Sequence, residues 1–240
     1  MLVAGLIDAL FPPRCVLCSS FLAQGERGFC ALCRVAFLPL PPRLCSRCGQ
    51  EACREEDGAC HACRRHPPPH RRSLAFAAYG GTLEEAIHRL KFQSEPRLAR
   101  PLAGLLLDDP PAQLAPAEHD LLLPVPLHPR RLRQRGYNQA ALLGGELSRA
   151  WSLPLELGGL VRCRDTVPQS GLGEQERRSN LLGAFAVRPD RVAGRRVLLF
   201  DDVITTGSTV AECARTLREG GARSVTALAL ARALPDRMLP

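Results

Sequence analysis

The sequence predicts an α/β domain with a mostly parallel sheet and helices on both faces, preceded by a small cysteine-rich module. Three observations carry this. From Ser73 onward, strand-like and helix-like segments alternate. One of those strands contains VLLF, the continuous apolar run of a strand covered on both faces. Nine of the 11 cysteines in this 240-residue chain fall within the first 63 residues.

Residues 1–13 read as a short amphipathic helix ended by Pro12-Pro13. They lack the basic start and small-residue cleavage site of a signal peptide. Residues 14–66 hold the cysteines and show no sustained period. Three prolines stiffen HPPPHRR, so 67–72 reads as a linker to a domain spanning 73–240. SLAFAAYG (73–80) reads as a strand. TLEEAIHRLKF (82–92) reads as a helix, with Thr82 as N-cap and Glu85 completing a capping box. Residues 97–107 follow as a helix and 108–119 as a loop. DLLLPVPLHP (120–129) begins as a buried strand and stops at prolines; NQAALLGGELSRAW (138–151) has a helical period. GLVRCR (159–164) reads as a strand and EQERRSNLLG (174–183) as a polar helix. RRVLLFDDV (195–203) is an apolar strand, STVAECARTLREGGA (208–222) a helix stopped by glycines, and RSVTALALAR (223–232) a final strand.

Composition narrows the class. With 45% hydrophobic and 23% charged residues the chain is globular in type. No apolar run reaches the ~18–20 residues of a membrane span. A reducing cytoplasm is therefore expected, where clustered thiols mean metal rather than disulfides. The formal charge is +8, with Lys91 as the sole lysine. This permits nucleic-acid or phosphorylated ligands without requiring them.

The cysteines form four C-x2-C pairs: Cys15/Cys18, Cys30/Cys33, Cys45/Cys48 and Cys60/Cys63, each separated from the next by 11 residues. Each pair points two thiolates at one metal, and two pairs complete a tetrahedral S4 site. Two closed, structural sites follow, with zinc preferred over iron. Equal spacing leaves sequential, nested and interleaved pairing open. Cys53 reads as a spare thiol, His61, His66 and His70 as solvated loop histidines, and Cys163 and Cys213 as half-buried. Each zinc tetrathiolate carries a charge of −2, which brings +8 to about +4. Chelation is expected to unfold 14–66 and leave the α/β domain largely intact.

The second constellation is VLLFDDVITTGSTV (197–210). An apolar strand runs into Asp201 and Asp202, and the loop Thr205-Thr206-Gly207-Ser208-Thr209 opens a helix. Gly207 permits a tight turn, and backbone N–H groups and hydroxyls form an anion nest suited to a monophosphate. No Walker lysine and no G-x-G-x-x-G is present. The aspartates suit ribose hydroxyls or an Mg²⁺-linked sugar.

This stretch resembles the type I phosphoribosyltransferase fingerprint. The resemblance implies that Asp201 and Asp202 hold the ribose hydroxyls of phosphoribosyl pyrophosphate (PRPP), bound with Mg²⁺, and that Thr205–Thr209 hold its 5′-phosphate. Together with LIDALFPPRCVLC, IHRLKF (87–92), LLPVPLHPRRLRQRGYNQA (122–140) and RDTVPQSGLGEQERRSNLLGAF (164–185), the whole chain is similar to the ComF family. That family joins a double zinc ribbon to such a domain and is associated with uptake of single-stranded DNA.

Other segments take roles by position. Arg130, Arg131, Arg133 and Arg135 crowd one loop after a buried strand, where α/β ligands bind. It resembles a pyrophosphate loop, with Arg131 and Arg135 favoured as binders and Gly136 easing the turn. RDTVPQSGL resembles the mobile loop of this enzyme class, with Arg164, Gln169 and Ser170 as its polar residues. Arg177, Arg178 and Asn180 read as a solvated face. Lys91 either reaches the ligand or lies on the surface. His128 reads as a loop histidine, and Tyr137 either stacks on a base or packs. Two functions result: a phosphoribosyltransferase of undefined acceptor, acting in DNA uptake and natural transformation or in nucleotide-related metabolism, or a non-catalytic single-stranded-DNA-binding competence protein whose PRPP site is regulatory or vestigial. A competence helicase is a partner that the family implies.

Overall fold

The computed structural model describes residues 12–50, 58–165 and 180–234. Most of the expected 1–13 helix, Cys53, the Arg177/Arg178 pair and the loop residues Gln169 and Ser170 lie outside them.

The α/β domain is built on a four-stranded, all-parallel sheet in the order β1-β6-β5-β2. These strands are β1 (Arg72–Ala78), β2 (Leu121–Pro124), β5 (Arg196–Ile204) and β6 (Ser224–Arg232). Phe200 of β5 registers with Leu228 of β6, and Leu122 of β2 with Leu198. Successive side chains alternate between faces. Leu198 and Phe200 join one buried cluster with helices α3 (Gly81–Phe92), α4 (Ala99–Asp108) and α6 (Gln139–Trp151). Val197 and Leu199 join another with α8 (Ser208–Glu219). The expected layering of helices on both faces is therefore present.

GLVRCR forms a strand, but outside the main sheet. As β3 (Leu160–Arg162) it pairs antiparallel with β4 (Phe185–Val187), making a two-stranded flap over the α8 face. A one-turn helix, α7 (Pro189–Val192), leads into β5.

The basic loop is a helix. Pro129 occupies the first turn of α5 (Pro129–Arg135), and the His128 ring accepts from the Arg130 N–H at its start. Gly136 ends it in the left-handed region at φ 83°. Thr82 does not cap α3, whose N-cap is Gly80; its hydroxyl donates instead to the Cys33 carbonyl at 2.9 Å. A bond to the cysteine-rich module satisfies Thr82 better than a local cap.

That module contains two one-turn helices, α1 (Ala31–Val35) and α2 (His61–Arg65). Its first half is not a separate body. Cys15, Phe29, Cys30 and Cys33 belong to the same buried cluster as α3 and α4. His70 is buried, not solvated, and Arg232 is 1% exposed at the end of β6. Burial and the Arg232 charge push the His70 imidazole down to about 4. Cys213 is fully buried on α8 and Cys163 exposed, so neither is half-buried.

Candidate ligand cleft and metal centres

Two groups of four cysteines fix the metal question. Cys15, Cys18, Cys30 and Cys33 bring their sulfurs within 4.8 Å of one another, as do Cys45, Cys48, Cys60 and Cys63. Pairing is therefore sequential. Backbone N–H groups of Cys48 and Cys60 donate to Cys45 Sγ at 3.5 and 3.3 Å, the partners a thiolate knuckle requires. Four soft ligands with no place for a fifth suit a structural Zn²⁺. Metal analysis of protein purified without chelators should find about two zinc ions per chain; fewer than one would refute the two-site assignment.

The second centre lies beside the carboxyl ends of the strands. Gln50 Nε2 donates to the Thr205 carbonyl at 3.3 Å. Arg232 Nη2 donates to Ser73 Oγ, and its guanidinium packs on Gly49, where any Cβ would sit 2.7 Å away. The Cys45 and Cys48 sulfurs act electrostatically on Arg232. A cation inside the fold thus faces a centre that is anionic when zinc is bound.

At the same end of the sheet a cleft of about 390 Å³ opens between β2, β5 and α5. Asp201, Asp202, Thr205 and Thr209 line one wall; Lys91, Arg131, Arg135 and Arg162 supply the cations. Lys91 Nζ pairs with Asp202 Oδ2 at 2.8 Å, so the sole lysine faces the acids. Burial, then the charge of Asp202, raises the Asp201 carboxyl well above its ordinary value. Arg135 donates to Gln139 Oε1 at 2.7 Å and stacks over Phe92 at 5.0 Å, which holds its fork in place.

The loop itself separates two clefts. Gly207 stands at φ 80° as the N-cap of α8, with no side chain of its own to cap the helix. Thr206 Oγ1 accepts from the Ser208 N–H at 3.4 Å, and the positive end of the α8 dipole faces the loop, which favours an anion there. Thr206, Gly207 and Ser208 line a second cleft of about 600 Å³ against the second cysteine centre, and the Thr206 and Ser208 hydroxyls lie 2.9 Å apart.

Other expected residues lie elsewhere. Gly136 caps α5 and does not line the cleft. Arg164 is exposed and donates to the Leu182 carbonyl at 2.6 Å. Tyr137 packs, its hydroxyl donating to the Leu90 carbonyl at 2.5 Å. His128, besides its cap, lies 3.6 Å from the Asp165 carboxylate. Sequence reasoning missed Arg162. It is 8% exposed, stacks over Phe185 at 5.5 Å and enters the cleft from β3. Its only signal was a charged residue at an inward position of a short strand.

Comparison with known proteins adds three findings. The double zinc ribbon domain family matches residues 6–64. DNA utilization protein YhgH of Escherichia coli O157:H7 is 36% identical over 230 residues, 93% of this chain and 98% of that one. Competence protein F of Haemophilus influenzae is 36% identical over 228 residues, 92% of this chain and 97% of that one. Among solved structures, the glutamine PRPP amidotransferase of Bacillus subtilis matches at 19% identity and a TM-score of 0.38, over 60% of this chain and 30% of that one. No helix among the described residues is long and apolar enough to cross a membrane.

Proposed function

The chain belongs to the ComF family of competence proteins, and from that premise we propose that its α/β domain binds PRPP with Mg²⁺ and transfers the phosphoribosyl group. The observation that carries this reading is the adjacency, in one cleft, of the Asp201/Asp202 pair, Thr205 and Thr209 at the start of α8, and four cations. Asp201 and Asp202 hold the ribose hydroxyls. The Thr205–Thr209 loop holds the 5′-phosphate. Arg131 and Arg135 bind the pyrophosphate, with Arg162 and Lys91 neutralising charge nearby, and the segment from Arg164 through Gln169 and Ser170 forms the cover. Mg²⁺ bound together with PRPP would neutralise charge on the leaving group. Catalysis then rests on positioning and on stabilising the departing pyrophosphate, with no protein nucleophile.

The relatives' names, DNA utilization protein and Competence protein F, favour a second role in DNA handling, and we propose that this DNA is single-stranded. The two roles coexist, and a non-catalytic chain would use PRPP only as a regulator. Calorimetry with PRPP and Mg²⁺ tests the site that both roles share. Heat at sub-millimolar PRPP is expected, with Arg131→Ala and Arg135→Ala each weakening binding about tenfold or more through loss of a charge-assisted fork. Absence of heat at millimolar PRPP would refute the binding site. Pyrophosphate release from PRPP in the presence of a phosphoribosyl acceptor then distinguishes transferase from regulator.

A further inference from the structure

Some surface arginines have a carboxylate at hand: Arg34 pairs with Asp108, Arg97 with Glu95, Arg149 with Glu146 and Arg191 with Glu156, at 2.8–3.3 Å. One region instead gathers arginines around a shared opening with no carboxylate in its lining. At the amino-terminal edge of the sheet, the second ribbon, the approach to β1, the end of α8 and the start of β6 enclose a cleft of about 520 Å³. Arg47, Arg71, Arg72, Arg218 and Arg223 line it, and no aspartate or glutamate among the described residues does. Arg72 is engaged with the Gln113 carbonyl at 3.4 Å, and Arg218 with the carbonyls of Ala222 and Arg223. Arg47, Arg71 and Arg223 are exposed and line the same space.

Five like charges around one opening repel one another, and only Arg72 and Arg218 of the five have a printed bond to the fold through their guanidinium groups. An anion bound among them offsets that cost. Arginine forks match phosphate oxygens, and the Ser46 and Ser224 hydroxyls add neutral donors. No Phe, Tyr or Trp lines the cleft, and the His70 ring in its lining is buried, so it offers no platform of exposed rings for bases. Such a site reads phosphates, not sequence. Five residue steps of β6, from Ser224 to the Ala229 that registers with Asp201, separate it from the Asp201/Asp202 cleft by about 17 Å.

We propose that this cleft grips the sugar-phosphate backbone of single-stranded nucleic acid, with the second ribbon and the sheet edge each supplying arginines. The proposal rests on the DNA-handling reading above and gives it a location distinct from the PRPP cleft.

The test is fluorescence anisotropy of a labelled oligodeoxythymidylate with the full-length, zinc-loaded protein, across a salt series. The triple variant Arg47→Ala/Arg71→Ala/Arg223→Ala should weaken binding about tenfold or more and flatten the log–log salt slope by about 2, as three lost phosphate contacts require. The comparison variant Arg34→Ala/Arg97→Ala/Arg149→Ala removes the same charge from paired sites and should change affinity less than about threefold. Zinc content and PRPP heat should be unchanged in both. Equal weakening by the two triples would overturn the proposal in favour of diffuse charge attraction. Unaltered affinity in the cleft triple, with wild-type binding intact, would place DNA elsewhere and leave the DNA reading standing. Failure of the wild-type protein to bind the oligonucleotide at low salt would remove the reading and the cleft together.

Discussion

Asp201→Asn and Asp202→Asn should both abolish PRPP binding, yet shift the melting temperature of the ligand-free protein in opposite directions. Asp202 is buried and pairs with Lys91 at 2.8 Å. Replacing it by the neutral amide removes the direct partner of a half-buried ammonium and leaves it only the more distant charge of Asp201, a loss of about 3 kcal/mol for a pair broken on one side. At about 2–4 °C per kcal/mol for a chain of this size, melting falls by roughly 6–12 °C. Asp201 behaves the other way. Its carboxyl is raised by burial and by Asp202, so the fold prefers it protonated. A raised folded-state pKa contributes stability fully present below the unfolded value, near 3.9, and lost as pH rises. At neutral pH the Asp201 carboxylate therefore costs stability, and Asn relieves it. The Asp201→Asn variant should melt about 2–4 °C above wild type at pH 7.5, and the gain should vanish toward pH 4. Scanning fluorimetry across that range measures it. A lowered melting temperature for Asp201→Asn at pH 7.5, or surviving PRPP heat in either variant, would count against the acid pair as a strained ligand site.

How much of this was legible depended on distance along the chain. Asp201, Asp202 and the loop to Thr209 are contiguous, and so are the C-x2-C pairs, so local spacing carried the chemistry. The α5 helix also carried local signals, Pro129 at its start and Gly136 at its end, though crowded arginines made it read as a loop. Arg162 and Lys91 meet the acids only because β3 and α3 are folded against β5, and no window of sequence contains that meeting. The same is true of Thr82, drawn from a capping role to Cys33, and of His70 and Arg232, buried where the second ribbon meets the sheet. Residues polar by type became interior through tertiary contact, which periodicity cannot register.

The two zinc centres should differ in what their loss does. Phe29 of the first ribbon is fully buried, edge-on to Phe37 at 5.3 Å, and Phe37 is edge-on to Phe76 of β1 at 6.4 Å. Arg89 of α3 donates to the Leu17 carbonyl, Ala78 N–H donates to the Leu38 carbonyl at 2.9 Å, and Gly28 lies so close to Pro101 that a Cβ would meet it at 2.6 Å. The first ribbon is thus part of the main core. Each structural zinc supplies about 10–16 kcal/mol of apparent folding energy, comparable with the whole net stability of about 5–15 kcal/mol of a typical domain. A Cys15→Ser/Cys33→Ser variant should therefore lose cooperative melting of the entire chain, contrary to the expectation that the α/β domain survives alone. The second centre holds only a small cluster of its own, Cys45, Ala59 and Cys63, and reaches the domain through Gln50, Gly49 and Arg232. A Cys45→Ser/Cys63→Ser variant should keep a cooperative transition, bind one zinc, and weaken PRPP binding because the Thr205 carbonyl loses its brace. Differential scanning calorimetry with zinc quantification distinguishes the cases. Equal loss of cooperativity in both variants, or unchanged PRPP affinity in the second, would show that the ribbons do not divide the work of supporting the core and supporting the loop.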